Sequence, residues 1–222
     1  MIIFAIIVSI IYLLTILKFS SGIYYRKKKK LQIHNPFVSI IVAARNEELS
    51  LPKLLKSLTS QNYSINNYEI IVANDRSVDK TAQVIEDFKK DFSNIKSINI
   101  DKTPIGWSNK KWALNQAIDK SKSDILLQTD ADCIPGKDWI KSMTDYFGDQ
   151  KVGLVCGPTP LIHKDSFLSS LFEMESLIQE SVNAGAIENK LYLSCTGRNL
   201  AFTKTTFKKV NGYIGNEHIK SG

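Results

Sequence analysis

Apolar and polar positions follow three regimes along the chain. Residues 2–17 are apolar with only Ser9 and Thr15 as mild breaks. From residue 37 onward, short apolar runs alternate with stretches whose apolar residues recur at helical spacing. The runs at 37–43, 68–73, 95–100, 124–129 and 152–156 predict strands, the third being the weakest. Between them, 51–60, 80–90, 110–120 and 136–147 predict helices, with Asp79 placed to cap the second and Pro135 to open the last. Runs without polar alternation belong to strands buried on both faces. Strand and helix alternating at these lengths predict an α/β fold with a mainly parallel sheet flanked by helices. In the third regime, residues 166–182 set Phe167, Leu168, Leu171, Phe172, Met174, Leu177 and Ile178 largely on one side of a helix. That stripe reads first as a core face. The alternative is an interfacial helix that brings a lipid-linked acceptor to the site.

The first regime predicts a membrane helix. At about 1.5 Å per residue, 2–17 is slightly short for a bilayer core of about 30 Å. Continuation past Lys18, whose head can snorkel, to Tyr24 and Tyr25 supplies the rest. A signal peptide carries its positive charge before the apolar run, whereas here Arg26-Lys-Lys-Lys-Lys30 follows it. We therefore expect one retained transmembrane anchor at 1–25, a basic juxtamembrane linker at 26–36, and a folded domain at 37–222. The positive-inside tendency puts the basic block, and the domain after it, in the cytosol at the cell membrane.

That block also explains the charge. The formal net charge is +7, and without residues 26–30 the chain is nearly neutral. No other basic stripe with interleaved aromatics is present, so nucleic acid is not an expected partner. Cys133, Cys156 and Cys195 are odd in number and far apart, which suits a reducing compartment and offers no metal-ligand pair.

The chemistry gathers after the strands. Asp130 and Asp132 follow the apolar run that ends near Thr129, and two carboxylates alternating there can share a hard cation with a phosphate. Asp-x-Asp alone is common and reads equally as a solvated turn. Two further loops, 44–48 and 74–79, also follow strands, and parallel strands would set all three on one edge, where open α/β sheets bind ligands. All three are acidic. No Gly-x-Gly-x-x-Gly follows the first strand, which argues against a dinucleotide site.

Five segments in order resemble the family 2 glycosyltransferases, enzymes of the GT-A fold that move a sugar from a nucleotide-sugar. Val38-Ser-Ile-Ile-Val-Ala-Ala-Arg-Asn-Glu-Glu48 is similar to the family's opening strand and loop. Glu69-Ile-Ile-Val-Ala-Asn-Asp-Arg-Ser-Val-Asp-Lys-Thr81 is similar to its second. Gly106-Trp-Ser-Asn-Lys-Lys-Trp-Ala-Leu-Asn115 resembles the lysine segment, and Gln128-Thr-Asp-Ala-Asp132 the metal motif. Cys195-Thr-Gly-Arg-Asn-Leu-Ala-Phe-Thr-Lys204 with Val210-Asn-Gly-Tyr213 resembles the acceptor-side segment, where Gly197, Arg198 and Asn199 stand.

The resemblance implies a role for each position. Asp75 would accept a hydrogen bond from the base of a UDP- or GDP-sugar, and the turn holding Ala43, Arg45, Asn46 and Glu47 would pack around base and ribose. Lys110 would neutralise diphosphate charge. Asp130 would face ribose and metal, and Asp132 would coordinate Mg²⁺ or Mn²⁺, whose oxygen preference matches carboxylates and phosphates. Asn74 stands where the family often has a first aspartate, and Asn109 replaces a common glycine. The implied reaction inverts the anomeric centre and passes the sugar to a glycan or lipid-linked acceptor. It needs a general base, which the family draws from an acidic cluster after a Gly-Tyr segment. That cluster would begin where the chain stops, so the base is expected after Gly222 and the domain is expected to be incomplete. Glu217 and His218 read as a solvated loop, with Glu217 and Glu173 the first substitutes to test. A polyprenyl-phosphate sugar transferase of the same fold and a non-catalytic nucleotide-sugar-binding membrane subunit are the alternatives.

Overall fold

The computed structural model describes residues 1–24, 35–161 and 166–220. In chain order its elements are α1 (Ile2–Tyr24), β1 (Val38–Ala44), α2 (Leu51–Thr59), β2 (Tyr68–Asn74), α3 (Thr81–Asp91), β3 (Ile95–Asn99), α4 (Asn109–Lys120), β4 (Ile125–Gln128), α5 (Trp139–Thr144), β5 (Leu154–Cys156), α6 (Phe167–Glu188), β6 (Leu200–Thr203) and α7 (Lys204–Lys209). They form two compact units, Met1–Lys30 with Pro158–Cys195, and Leu31–Gly157 with Thr196–Gly222. The basic block at 26–30 and the linker up to residue 34 lie outside the described residues.

The larger unit is a six-stranded sheet in the order β3-β2-β1-β4-β6-β5. β1 pairs in parallel with β2 and with β4, and β2 in parallel with β3. β6 runs antiparallel to both β4 and β5. The sheet is therefore α/β with helices on both faces, as the pattern predicts, and one reversed strand makes it mixed. Side chains alternate across β1, so Ile40 and Val42 join one core with Leu51, Leu54, Leu55 and Leu58 of α2 and Ile85 of α3. Ile41 joins the other with Ala113, Leu114, Ala117 and Ile118 of α4. Each fully buried leucine of α2 contributes about 1.5–3 kcal/mol.

Three elements differ from the sequence expectation. α3 begins at Thr81 with Lys80 in the cap position. Asp79 still serves it, because its Oδ1 accepts from the Thr81 N–H at 3.0 Å while Oδ2 accepts from the Glu48 N–H at 3.1 Å. The helix expected over 136–147 shrinks to α5 followed by a 3₁₀ turn at Asp145–Gly148. The carbonyls before α5 are committed elsewhere: Pro135 accepts from Ser57 Oγ at 2.6 Å, Gly136 from Gln61 Nε2 at 2.7 Å and Lys137 from the Asn62 N–H at 2.7 Å. The strand expected from 152 starts at Leu154, since the Val152 N–H closes a turn onto the Asp149 carbonyl.

The smaller unit holds α1 and α6. α1 is long and apolar enough to cross a membrane, the one such helix among the described residues. α6 meets it where Gly22 and Gly185 approach so closely that a Cβ on either would overlap the other helix's backbone. Asn189 Nδ2 donates to the Lys18 carbonyl at 2.8 Å. The core reading of the α6 stripe is overturned: Phe167, Leu168, Leu171, Phe172, Met174, Leu177 and Ile178 are all exposed. Helical spacing tells which side chains share a face but not what covers that face.

Candidate active site

The parallel ladders bring the ends of β1, β2 and β4 to one edge, with Ala44 beside Asn74 and Ile41 beside Gln128. The chain leaving these strands, with the first turn of α4, lines a cavity of about 360 Å³. Its walls are Ala43, Ala44, Arg45, Glu47, Asp75, Asn109, Lys110, Asp130, Ala131 and Asp132.

Asp75 is the most enclosed acid of the cavity, 4% exposed, and its N–H is fixed by the Ala44 carbonyl at 2.8 Å. Arg76 Nε donates to its Oδ1 at 2.9 Å, with Nη2 2.7 Å from the same oxygen. Arg76 holds this pose on a backbone in the left-handed region, φ 53°. Across the cavity, Lys110 Nζ lies 2.7 Å from Asp130 Oδ1, a half-exposed ammonium on a mostly buried carboxylate. Asp132 is exposed. Next to it, burial pushes the Cys133 thiol up in pKa, so it is a poor thiolate ligand.

The donor set suits a hard cation held jointly with phosphate. It offers two carboxylates, and no group of three or more His, Cys, Asp or Glu side chains converges among the described residues. A diphosphate would supply the remaining oxygens. Lys110 and the N-terminal turn of α4 bring positive charge to the same cavity.

Four residues singled out in the sequence do not line the cavity. Asn46, at φ 56°, braces two loops: its Oδ1 accepts from the Val78 N–H at 2.9 Å and its own N–H donates to Ser77 Oγ at 3.0 Å. Asn199 Oδ1 accepts from Trp139 Nε1 at 2.8 Å, the Gly197 carbonyl from Gln128 Nε2 at 3.1 Å, and Arg198 Nε donates to Thr196 Oγ1 at 3.2 Å. Residues 197–199 are thus tied to β4 and α5. Conversely, Asn109 and Ala131 line the cavity without having been assigned, and their adjacency to Lys110 and Asp130 was the available signal.

The C-terminal turn is held from beneath by α4. Lys111, 6% exposed, donates to the Asn216 carbonyl at 2.8 Å and sits 5.8 Å from the centre of the Tyr213 ring. Burial pushes the Tyr213 phenol up to about 12. Glu217 is turned into its own turn, Oε2 accepting from the Gly215 N–H. Bonds from the Glu217 and Gly215 N–H groups hold its carboxyl below the ordinary carboxylate range, which makes it a weaker base.

Residues 39–210 match the family model described as glycosyl transferase family 2. The chain belongs to that family. It is 34% identical over 128 residues to the β-monoglucosyldiacylglycerol synthase of Nostoc sp., covering 58% of this chain and 27% of that protein. With the probable glycosyltransferase YdaM of Bacillus subtilis it shares 28% identity over 181 residues, 80% of this chain and 43% of that one. The chain therefore spans less than half the length of these relatives. Among solved structures, the mannosyltransferase PcManGT from Pyrobaculum calidifontis, in complex with GDP-Man and Mn²⁺, shares the fold with TM-score 0.66 at 18% identity, over 89% of this chain and 54% of that one. S. aureus TarS in complex with UDP-GlcNAc shares it with TM-score 0.58 at 17% identity, over 83% and 52% of the two chains.

Proposed function

We propose that this chain is the donor-binding part of a membrane-anchored, cytosol-facing glycosyltransferase that uses a divalent cation and transfers a sugar, with inversion, from a nucleoside-diphosphate sugar to a glycan or lipid-linked acceptor. The observation that carries the reading is the convergence of Asp75, Lys110, Asp130 and Asp132 on one cavity at the carboxyl edge of the parallel strands. Asp75 reads the base, its carboxylate steadied by Arg76. Lys110 and the α4 terminus hold the diphosphate. Asp130 and Asp132 hold Mg²⁺ or Mn²⁺, which when bound supplies Lewis-acid stabilisation of the departing diphosphate. Relatives named for glycolipid synthesis, and α1 as a membrane span, support a lipid-linked acceptor at the membrane.

The test is calorimetry of UDP and GDP on the full chain in detergent, with and without Mn²⁺. Binding that strengthens with metal supports the reading, and equal affinity with and without it refutes the metal assignment.

A further inference from the structure

We propose that α6 is a membrane-surface helix, lying against the bilayer on its apolar side where α1 leaves it. The proposal rests on α1 being a membrane anchor and adds a second lipid contact to it.

The first observation is that α6 is amphipathic inside out. Ser169, Glu173, Ser176, Glu180 and Asn183 recur at helical spacing, and this polar stripe is the half-buried side. Part of its cover is the unit's own chain, since Glu180 Oε1 accepts from the Thr159 N–H at 2.6 Å. The outward side is mainly apolar, with Phe167 81%, Met174 55% and Ile178 57% exposed, and it also carries the exposed Glu175 and Gln179, whose heads must reach the headgroup layer if the helix lies on lipid. A helix facing water is arranged the other way round.

The second observation fixes what covers that side. The Gly22–Gly185 crossing and the Asn189 bond to the Lys18 carbonyl join the last turns of both helices. Such close crossings through small residues are how helices pack in membranes. On α1 this end carries Lys18 and Tyr24, the residue types that mark a bilayer interface. The crossing therefore sets the C-terminal end of α6 at the height of the bilayer surface. Apolar positions spread over more than half the circumference of α6, wider than the seam of a two-helix pair. α6 contains no lysine or arginine, so its hold on lipid is apolar and insensitive to salt.

The test uses the full chain with Cys133, Cys156 and Cys195 changed to Ala, reconstituted in phosphatidylcholine vesicles with or without brominated acyl chains. Single cysteines carrying a bimane probe are placed by Leu13→Cys in α1, Leu171→Cys and Ile178→Cys in α6, and Lys90→Cys as an aqueous reference. Bromolipid quenching at positions 171 and 178 several-fold above that at 90, equal at low and high salt, is the expected result. Quenching at 13 with positions 171 and 178 at the level of 90 leaves the anchor standing and overturns the proposal. No quenching anywhere overturns both. Quenching at 171 and 178 without 13 removes the anchor from which the height of α6 is argued and overturns the proposal in this form. Crosslinking between Ile178→Cys copies without lipid quenching names a second copy as the cover and overturns the proposal.

Discussion

The two ends of the parallel strands treat charge in opposite ways. At the amino end Glu69, 2% exposed, is closed in: Oε1 accepts from Ser39 Oγ at 2.6 Å and from the Lys122 N–H at 2.7 Å, and Oε2 from Lys96 Nζ at 2.5 Å. Ser123 extends the network, its N–H donating to Ser39 Oγ at 3.1 Å and its hydroxyl to the Phe37 carbonyl at 2.6 Å. At the carboxyl end Asp75, Asp130 and Asp132 open onto a cavity. A charge whose hydrogen-bonding capacity is used up within the fold contributes stability, and one that faces a cavity is available to a ligand. A carboxylate can therefore be used up by the fold at one end of the strands and left available to a ligand at the other.

The largest effect is expected at the open end. Asp132→Asn should remove the metal enhancement of nucleotide binding, a loss exceeding the roughly 10- to 100-fold that follows removal of an outer-shell partner. Its melting temperature should stay near that of the parent. Titration of UDP at increasing Mn²⁺ measures the first and a thermal melt the second, and a melt that collapses with the affinity breaks the contrast. Asp75→Ala comes next: loss of a hydrogen bond to a charged group, about 1.5–3 kcal/mol, weakens nucleoside binding roughly ten- to a hundredfold even without metal. If UDP and GDP bind this variant as they bind the parent, Asp75 does not read the base.

The closed end should answer in stability alone. Glu69→Gln is expected to cost about 1–3 kcal/mol in denaturant unfolding while leaving nucleotide affinity unchanged. It should also flatten the acid limb. Burial pushes the Glu69 carboxyl up, but the bonds from Lys96, Ser39 and the Lys122 N–H outweigh it and leave the group below its ordinary 4.5. With the folded value depressed, the contribution is complete above about 4.5 and is lost as pH falls through the folded value. Unfolding curves of parent and variant that run parallel below 4.5 would contradict this. Ser123→Ala, which frees the Phe37 carbonyl and the Ile125 N–H, is the smallest, about 1 kcal/mol.

Legibility followed the range of the cause. β1, β2 and β4 were readable because burial on both faces leaves an unbroken apolar run, and the cavity acids because they sit directly after those runs. β6 escaped notice: it is four residues long, and its pairing with β4 joins segments far apart in sequence. The shortening of α5 came from Ser57, Gln61 and Asn62, which claim the carbonyls of 135–137 from another part of the chain. Asn46 belongs to the turn expected around base and ribose, and its side chain braces two loops, a direction that a motif, which gives position alone, does not carry. For α6 the period was right and the environment wrong.

Arg76 places two demands on one codon. Its backbone, at φ 53°, is a conformation that glycine adopts freely and a long side chain adopts at a cost, while its guanidinium steadies Asp75. Drift to glycine relieves the backbone and leaves the acid alone; drift to valine or isoleucine satisfies neither. Asparagine tolerates the twist but carries no cation. Few residue types meet both demands, so a substitution there should be tolerated best where another positive group has first come within reach of Asp75.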